Sequence, residues 1–153
     1  MRLAILLSIM VLTGIGTSAR ADCAASDIKW AQSEKLLNEI DDSRKNMKVL
    51  ADSPPDKLAW RIVHDDLEIS MSYYGSAGVL IGLRSKMTNE VDRRAFDPWI
   101  QEALKHAISS FDANADYLTA FLADTKIQAL SAEATVLRDK ARQMGRLLTA
   151  CTS

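Results

Sequence analysis

Strand signals are missing from this chain of 153 residues, since no run alternates β-branched and aromatic side chains with polar ones. That excludes a sheet-based fold. Cysteine is nearly absent too, with only Cys23 and Cys151, so there is no C-x-x-C redox pair and no C-x-x-C-H haem attachment site. A block of basic residues is lacking, and the net charge is −1, which leaves no electrostatic footprint for nucleic acid. There is no G-x-S-x-G elbow and no strand-turn-helix setting for one, which removes the commonest serine hydrolase arrangement. Proline is limited to Pro54, Pro55 and Pro98, so long helices can run uninterrupted between them.

Long apolar runs are confined to the beginning. Arg2 precedes an apolar stretch from Leu3 to Leu12, and Ala19-Arg20-Ala21 follows as an A-x-A cleavage site. This reads as a secretory signal over residues 1–21, too short to span a hydrocarbon core that takes ~20 helical residues. Asp22 stands before Cys23 where a lipoprotein would need a small residue. Removing the signal takes away Arg2 and Arg20 and leaves 132 residues of net charge −3, one domain over residues 22–153. The expected location is periplasmic or secreted, with no membrane span after signal removal.

What is present is helical periodicity. Ile127, Leu130, Ala134, Leu137, Ala141, Met144, Leu148 and Cys151 step by three and four, placing them on one stripe of a final helix that Thr125 and Gln128 would cap. A first helix from about Ser26 to Ala51 carries Trp30, Leu37, Ile40, Met47 and Ala51, with Ser33 and Arg44 in the gaps. A second begins at Pro54-Pro55 and carries Leu58, Ile62, Val63, Leu67, Met71 and Tyr74. Asp97-Pro98 reads as N-cap and first position of a third, with Ile100, Leu104, Ala107, Phe111, Leu118 and Leu122 inward and Asn114 or Ala115 at the gap. Thr88–Phe96 stays open, although Asn89 could cap a short turn.

The fold class is therefore all-α: an up-down-up-down four-helix bundle, the simplest way to bury four such stripes. In that topology the chain ends lie together, so Cys23 and Cys151 are expected to form a disulfide staple. Closing so long a ring stabilises by about 5 kcal/mol in the chain-entropy model.

Candidate chemistry is thin. His64 has Glu68 one turn ahead and His106 has Glu102 one turn behind, pairs that can ligate a metal. The Glu-x-x-His spacing of di-iron bundles fails, because Arg61 and Ala103 stand three before the histidines. Pairing the second and third helices about residue 90 sets His106 opposite Tyr74 and His64 opposite Asp116, ~15 Å apart along the bundle. No cofactor, metal or catalytic residue is expected. The least ordinary element is the second helix, where Tyr73 and Tyr74 adjoin Gly75, Gly78 and Gly82. Each interior glycine costs ~1 kcal/mol relative to alanine, so close approach of another backbone or a break near Gly75 is expected there.

The expected function is that of a non-enzymatic exported protein that binds another exported protein as accessory, adaptor or inhibitor. Tyr73, Tyr74, Gly75, Gly78 and Gly82 are its candidate binding residues. A bundle holding haem, a metal or a small ligand is the alternative, and the oligomeric state is not legible.

Overall fold

The computed structural model describes the backbone of residues 27–123 and 128–152. Four helices make up these residues: α1 (Asp27–Leu50), α2 (Pro54–Ser85), α3 (Glu90–Leu122) and α4 (Gln128–Thr152). They pack together, and no strand occurs among the described residues. The signal segment, Cys23 and the Thr125 cap lie outside them.

Cross-helix contacts give the direction of each neighbour. Ser70 meets Ser110, Tyr73 meets His106 and Arg84 meets Asp97, so residue numbers paired between α2 and α3 sum to about 180. A constant sum is the mark of antiparallel packing. The same holds for α1 with α2 (Ser33 with Tyr74, Arg44 with His64) and for α1 with α4 (Glu39 with Lys140, Asn46 with Glu133). Arg142 on α4 reaches Thr119 and Asp116 on α3.

The termini of the helices follow from local chemistry. Ser53 caps α2 by accepting the Asp56 amide at 3.3 Å, and Pro54 follows where its missing N–H costs nothing. The third helix corrects the reading from sequence. It starts at Glu90, not at Asp97-Pro98, because Asn89 accepts the Val91 amide at 2.9 Å, and Glu90 and Asp92 complement the positive end of the helix. Pro98 lies inside α3 on its exposed side, where water can reach the Arg94 carbonyl that proline leaves without an amide. Asp97 is no cap but an ion-pair partner, accepting from Arg84 Nε at 2.7 Å.

Large side chains with no exposed surface fill the interior: Ile40, Met47, Val63, Leu67, Phe111, Leu118, Leu130, Leu137 and Met144. Leu148 and Cys151 finish the α4 stripe at one end, both buried. On α1 the buried line runs through Ser33, Leu36, Ile40, Ser43, Met47 and Ala51. Leu36 and Ser43 thus take the places expected for Leu37 and Arg44. On α3 both Asn114 and Ala115 are buried, and Phe121 replaces Leu122.

Candidate interaction face

The seams on the two sides of α2 differ in character. Toward α3 the buried positions of α2 are mostly small, namely Ala59, Ser70 and Ala77, and the two helices pack extensively. Ser70 lies at the centre of a buried polar knot. Asn114 Nδ2 donates to Ser70 Oγ and to the Ser110 carbonyl, both at 3.1 Å. Ser70 donates to the Asp66 carbonyl at 3.0 Å, which leaves the Ser110 hydroxyl to donate to Ser70 at 2.7 Å. Asn114 Oδ1 finds no donor among the described residues.

Toward α1 the backbones approach less closely, and large side chains bridge the gap. Trp30 stacks on Tyr74 with ring centroids 4.7 Å apart and planes 3° from parallel. Ser33 donates to the Trp30 carbonyl at 2.7 Å, so the Tyr74 hydroxyl donates to Ser33 at 2.6 Å. Burial pushes the Tyr74 hydroxyl up to about 12. Farther along, the half-buried Arg44 guanidinium is held by Asp41, Glu68 and the His64 ring, whose Nδ1 accepts at 2.7 Å. Trp60 stacks on His64 at 5.0 Å and donates its indole N–H to the Arg44 carbonyl at 3.2 Å. The Lys45 ammonium, then burial acting the other way, then Arg44 set the Asp41 carboxyl below its ordinary value.

These contacts separate the five residues singled out on α2. Tyr73 is exposed and stacks on His106 of α3 at 5.0 Å, whereas Tyr74 is buried against Trp30. Gly78 receives the Trp30 ring so closely that an added Cβ would lie 2.9 Å from its Cζ2. Gly75 and Gly82 have nothing within 4 Å of such a Cβ. The helix is continuous through all three glycines. The close approach therefore occurs at Gly78 alone, and a tryptophan side chain makes it, not a second backbone.

The histidines part as well. His106 lies on the α3 side with Glu102 3.0 Å from its Nε2. His64 turns toward α1 and not toward Asp116, since residue 64 falls on the α2 flank that faces Arg44. Among the described residues no three of His, Cys, Asp and Glu gather where they could hold a metal ion. No described helix is long and apolar enough to cross a membrane.

The feature that stripe-reading missed is the outward face of α2. Leu58 is 60 % exposed, Ile69 52 %, Val79 64 % and Leu83 42 %, with Ile62 and Tyr73 also exposed. Spaced at 58, 62, 69, 73, 79 and 83, they form a second helical stripe beside the buried one. Leu58 and Ile62, expected inside, are outside because the core side of this turn is taken by Ala59 and Val63. Trp99 of α3, 69 % exposed, lies level with residue 81 in the α2–α3 register and widens the strip at that end. Burying such side chains against a partner is worth about 25 cal/mol per Å2.

No family model matches this chain, and neither a curated protein nor a solved structure shows similarity to it.

Proposed function

We propose that this chain is an exported, non-enzymatic binding protein that engages another protein through the outer face of α2. One observation carries the reading. A helix that buries Ala59, Val63, Leu67, Ser70, Tyr74 and Ala77 and also presents Leu58, Ile62, Ile69, Tyr73, Val79 and Leu83 to solvent carries a second apolar stripe for which a lone bundle has no use. The strip is ~38 Å long at 1.5 Å per residue, suited to a partner helix laid along it. Tyr73 belongs to this face. Tyr74 and Gly78 act beneath it by fixing α2 to α1, and Gly75 and Gly82 lie on the flank toward α1.

Export implies an oxidising compartment, and in that setting Cys23 and Cys151 form the staple. Two facts support this. Cys151 is buried in the last turn of α4, and the α1–α4 register sets it level with residue 28, five residues after Cys23. A non-reducing mass of the exported chain that is two hydrogen atoms below the reduced mass fits the bond, and two alkylatable thiols exclude it.

The binding reading is tested by photo-crosslinking in the exported fraction from a probe at residue 69, with a second probe at Asp139 on the exposed side of α4. Protein adducts at 69 and none at 139 are expected. Equal labelling from both positions, or none from either, counts against the α2 face.

A further inference from the structure

The binding reading leaves the partner unspecified, and the α2 strip itself carries information on this point. Its exposed positions are Leu58, Ile62, Asp65, Ile69, Ser72, Tyr73, Ser76, Val79 and Leu83. Helical spacing places all of them within one stripe about 120° wide. Read from either end, the order of residue types is the same: apolar, apolar, polar, apolar, polar, apolar, polar, apolar, apolar.

We propose that the strip is occupied by a second copy of this chain, in an isologous antiparallel pair whose two-fold axis passes α2 between residues 70 and 71. This rests on the reading of the α2 face as a protein-binding surface. In an isologous interface, residue i contacts j and j contacts i, so the surface must be complementary to its own reversal. Here it is. Leu58 of one copy falls against Leu83 of the other, Ile62 against Val79, and Ile69 against Tyr73, each pair summing to 141 or 142. The polar positions obey the same rule, for Ser72 lies beside the axis and Asp65 falls against Ser76. That pairing matters energetically, since a carboxylate buried against apolar side chains would be costly. The Ser76 hydroxyl, exposed and now donating to the Ser72 carbonyl at 2.9 Å, is free to turn to the Asp65 carboxylate. Shifting the register by one turn would set Asp65 against Val79 in one direction and Ile62 against Ser76 in the other. The reversal therefore selects one register, a property that a strip evolved for an unrelated partner has no reason to possess.

The size fits a weak pair. A strip ~38 Å long and about one helix diameter wide, broadened by Trp99 at one end, presents about 450 Å2 per copy. Stable interfaces take about 800 Å2 from each partner, and about half of that suits a pair that dissociates on dilution from tens of micromolar. The charges flanking the strip are mixed, with Lys57 and Arg61 on one stretch and Asp66 and Glu68 on the next, so the face carries no single-sign field to repel its copy.

Sedimentation equilibrium of the purified exported chain tests the pairing. The expected result is twice the chain mass at tens of micromolar, falling to the single mass in Ile69→Asp with the helical circular dichroism unchanged. Val136→Asp, at an exposed apolar position on α4, is expected to keep the doubled mass. Orientation is read from cysteine variants: Ser72→Cys, next to the axis, crosslinks to itself, whereas Leu83→Cys crosslinks only when mixed with Leu58→Cys. A single mass at 100 μM, a doubled mass that survives Ile69→Asp, or self-crosslinking of Leu83→Cys overturns the proposal. A single-mass chain whose residue 69 still crosslinks to a different exported protein also removes the second copy, but leaves the binding reading standing.

Discussion

The helices α4 and α2 both read as amphipathic, yet they distribute their apolar residues in opposite ways. On α4 every described member of the heptad stripe, from Leu130 to Cys151, is buried, and Val136 is the one large apolar residue left exposed there. On α2 the bundle takes Val63, Leu67 and Tyr74 along with Ala59, Ser70 and Ala77, while Leu58, Ile62, Ile69, Val79 and Leu83 stay outside. The contrast teaches that helix amphipathicity has two customers. α4 turns all of its large apolar side chains but Val136 toward its own bundle. α2 divides its apolar surface between the bundle and the outside, and needs small residues inward because α3 packs close to it.

The sharpest way to break this comparison is to truncate one leucine on each helix. Leu137→Ala should lower unfolding free energy by about 2–5 kcal/mol, the range for a fully buried leucine. Leu58→Ala, measured in a dilute monomer, should stay within about 0.5 kcal/mol. Equal losses in urea unfolding would mean that Leu58 is packed inside.

The glycines of α2 sharpen the same contrast at a smaller scale. Gly78→Ala pushes a methyl group into Trp30 and unsettles its stack on Tyr74. Overpacking at a cost of about 1–3 kcal/mol outweighs or cancels the ~1 kcal/mol gain in helix propensity. Gly75→Ala meets open space, so it should stabilise by about 0.5–1 kcal/mol. Thermal melts of the two variants should therefore shift in different directions or by clearly different amounts.

Two titrations complete the set. The Tyr74 hydroxyl has its pKa raised to about 12 by burial, against an ordinary 10.0. Between those values the unfolded chain loses this proton while the folded one keeps it, so stability falls as pH rises from about 10 to 12. Tyr74→Phe should flatten that decline at a cost near 1 kcal/mol at neutral pH, since Ser33 retains the Trp30 carbonyl as its acceptor. Asp41 lies below its ordinary value of 3.8, through Lys45 and Arg44. Its contribution is present above that value and is lost as pH falls through the folded pKa. Asp41→Asn should make the acid limb of the stability profile slightly shallower, the smallest of these effects.

Much of the bundle was legible from spacing, and the reasons are local. From Leu130 to Cys151 the α4 stripe is buried as read, because no buried position competes with another face, and Ile127 lies outside the described residues. Pairing α2 with α3 about residue 90 correctly brought His106 to the Tyr73-Tyr74 turn. The start of α3 was misread because Asp97-Pro98 imitates a cap perfectly well, and only the Asn89 cap and the Arg84 ion pair show that the helix is already under way. The Arg44, His64, Trp60 cluster could not be read at all, since it joins residues sixteen to twenty-four positions apart across two helices. On α2 the large apolar residues point to the wrong face when size alone is followed. Ala59, Ser70 and Ala77 at helical spacing were the available signal for the true inward side. Tyr73 was singled out from sequence for its position beside Tyr74. Its neighbours on the strip, Ile69, Val79 and Leu83, required the fold.

Carbene footprinting of the purified chain tests the central claim most directly, because it reads side-chain exposure residue by residue in solution. The account predicts that Leu58, Ile69, Val79 and Leu83 are protected in the wild-type chain at tens of micromolar and become strongly labelled in Ile69→Asp or on dilution, at every one of these positions that remains apolar. Leu130, Leu137 and Leu148 should stay unlabelled throughout. Strong labelling of the α2 strip at every concentration, unchanged in Ile69→Asp, would contradict it.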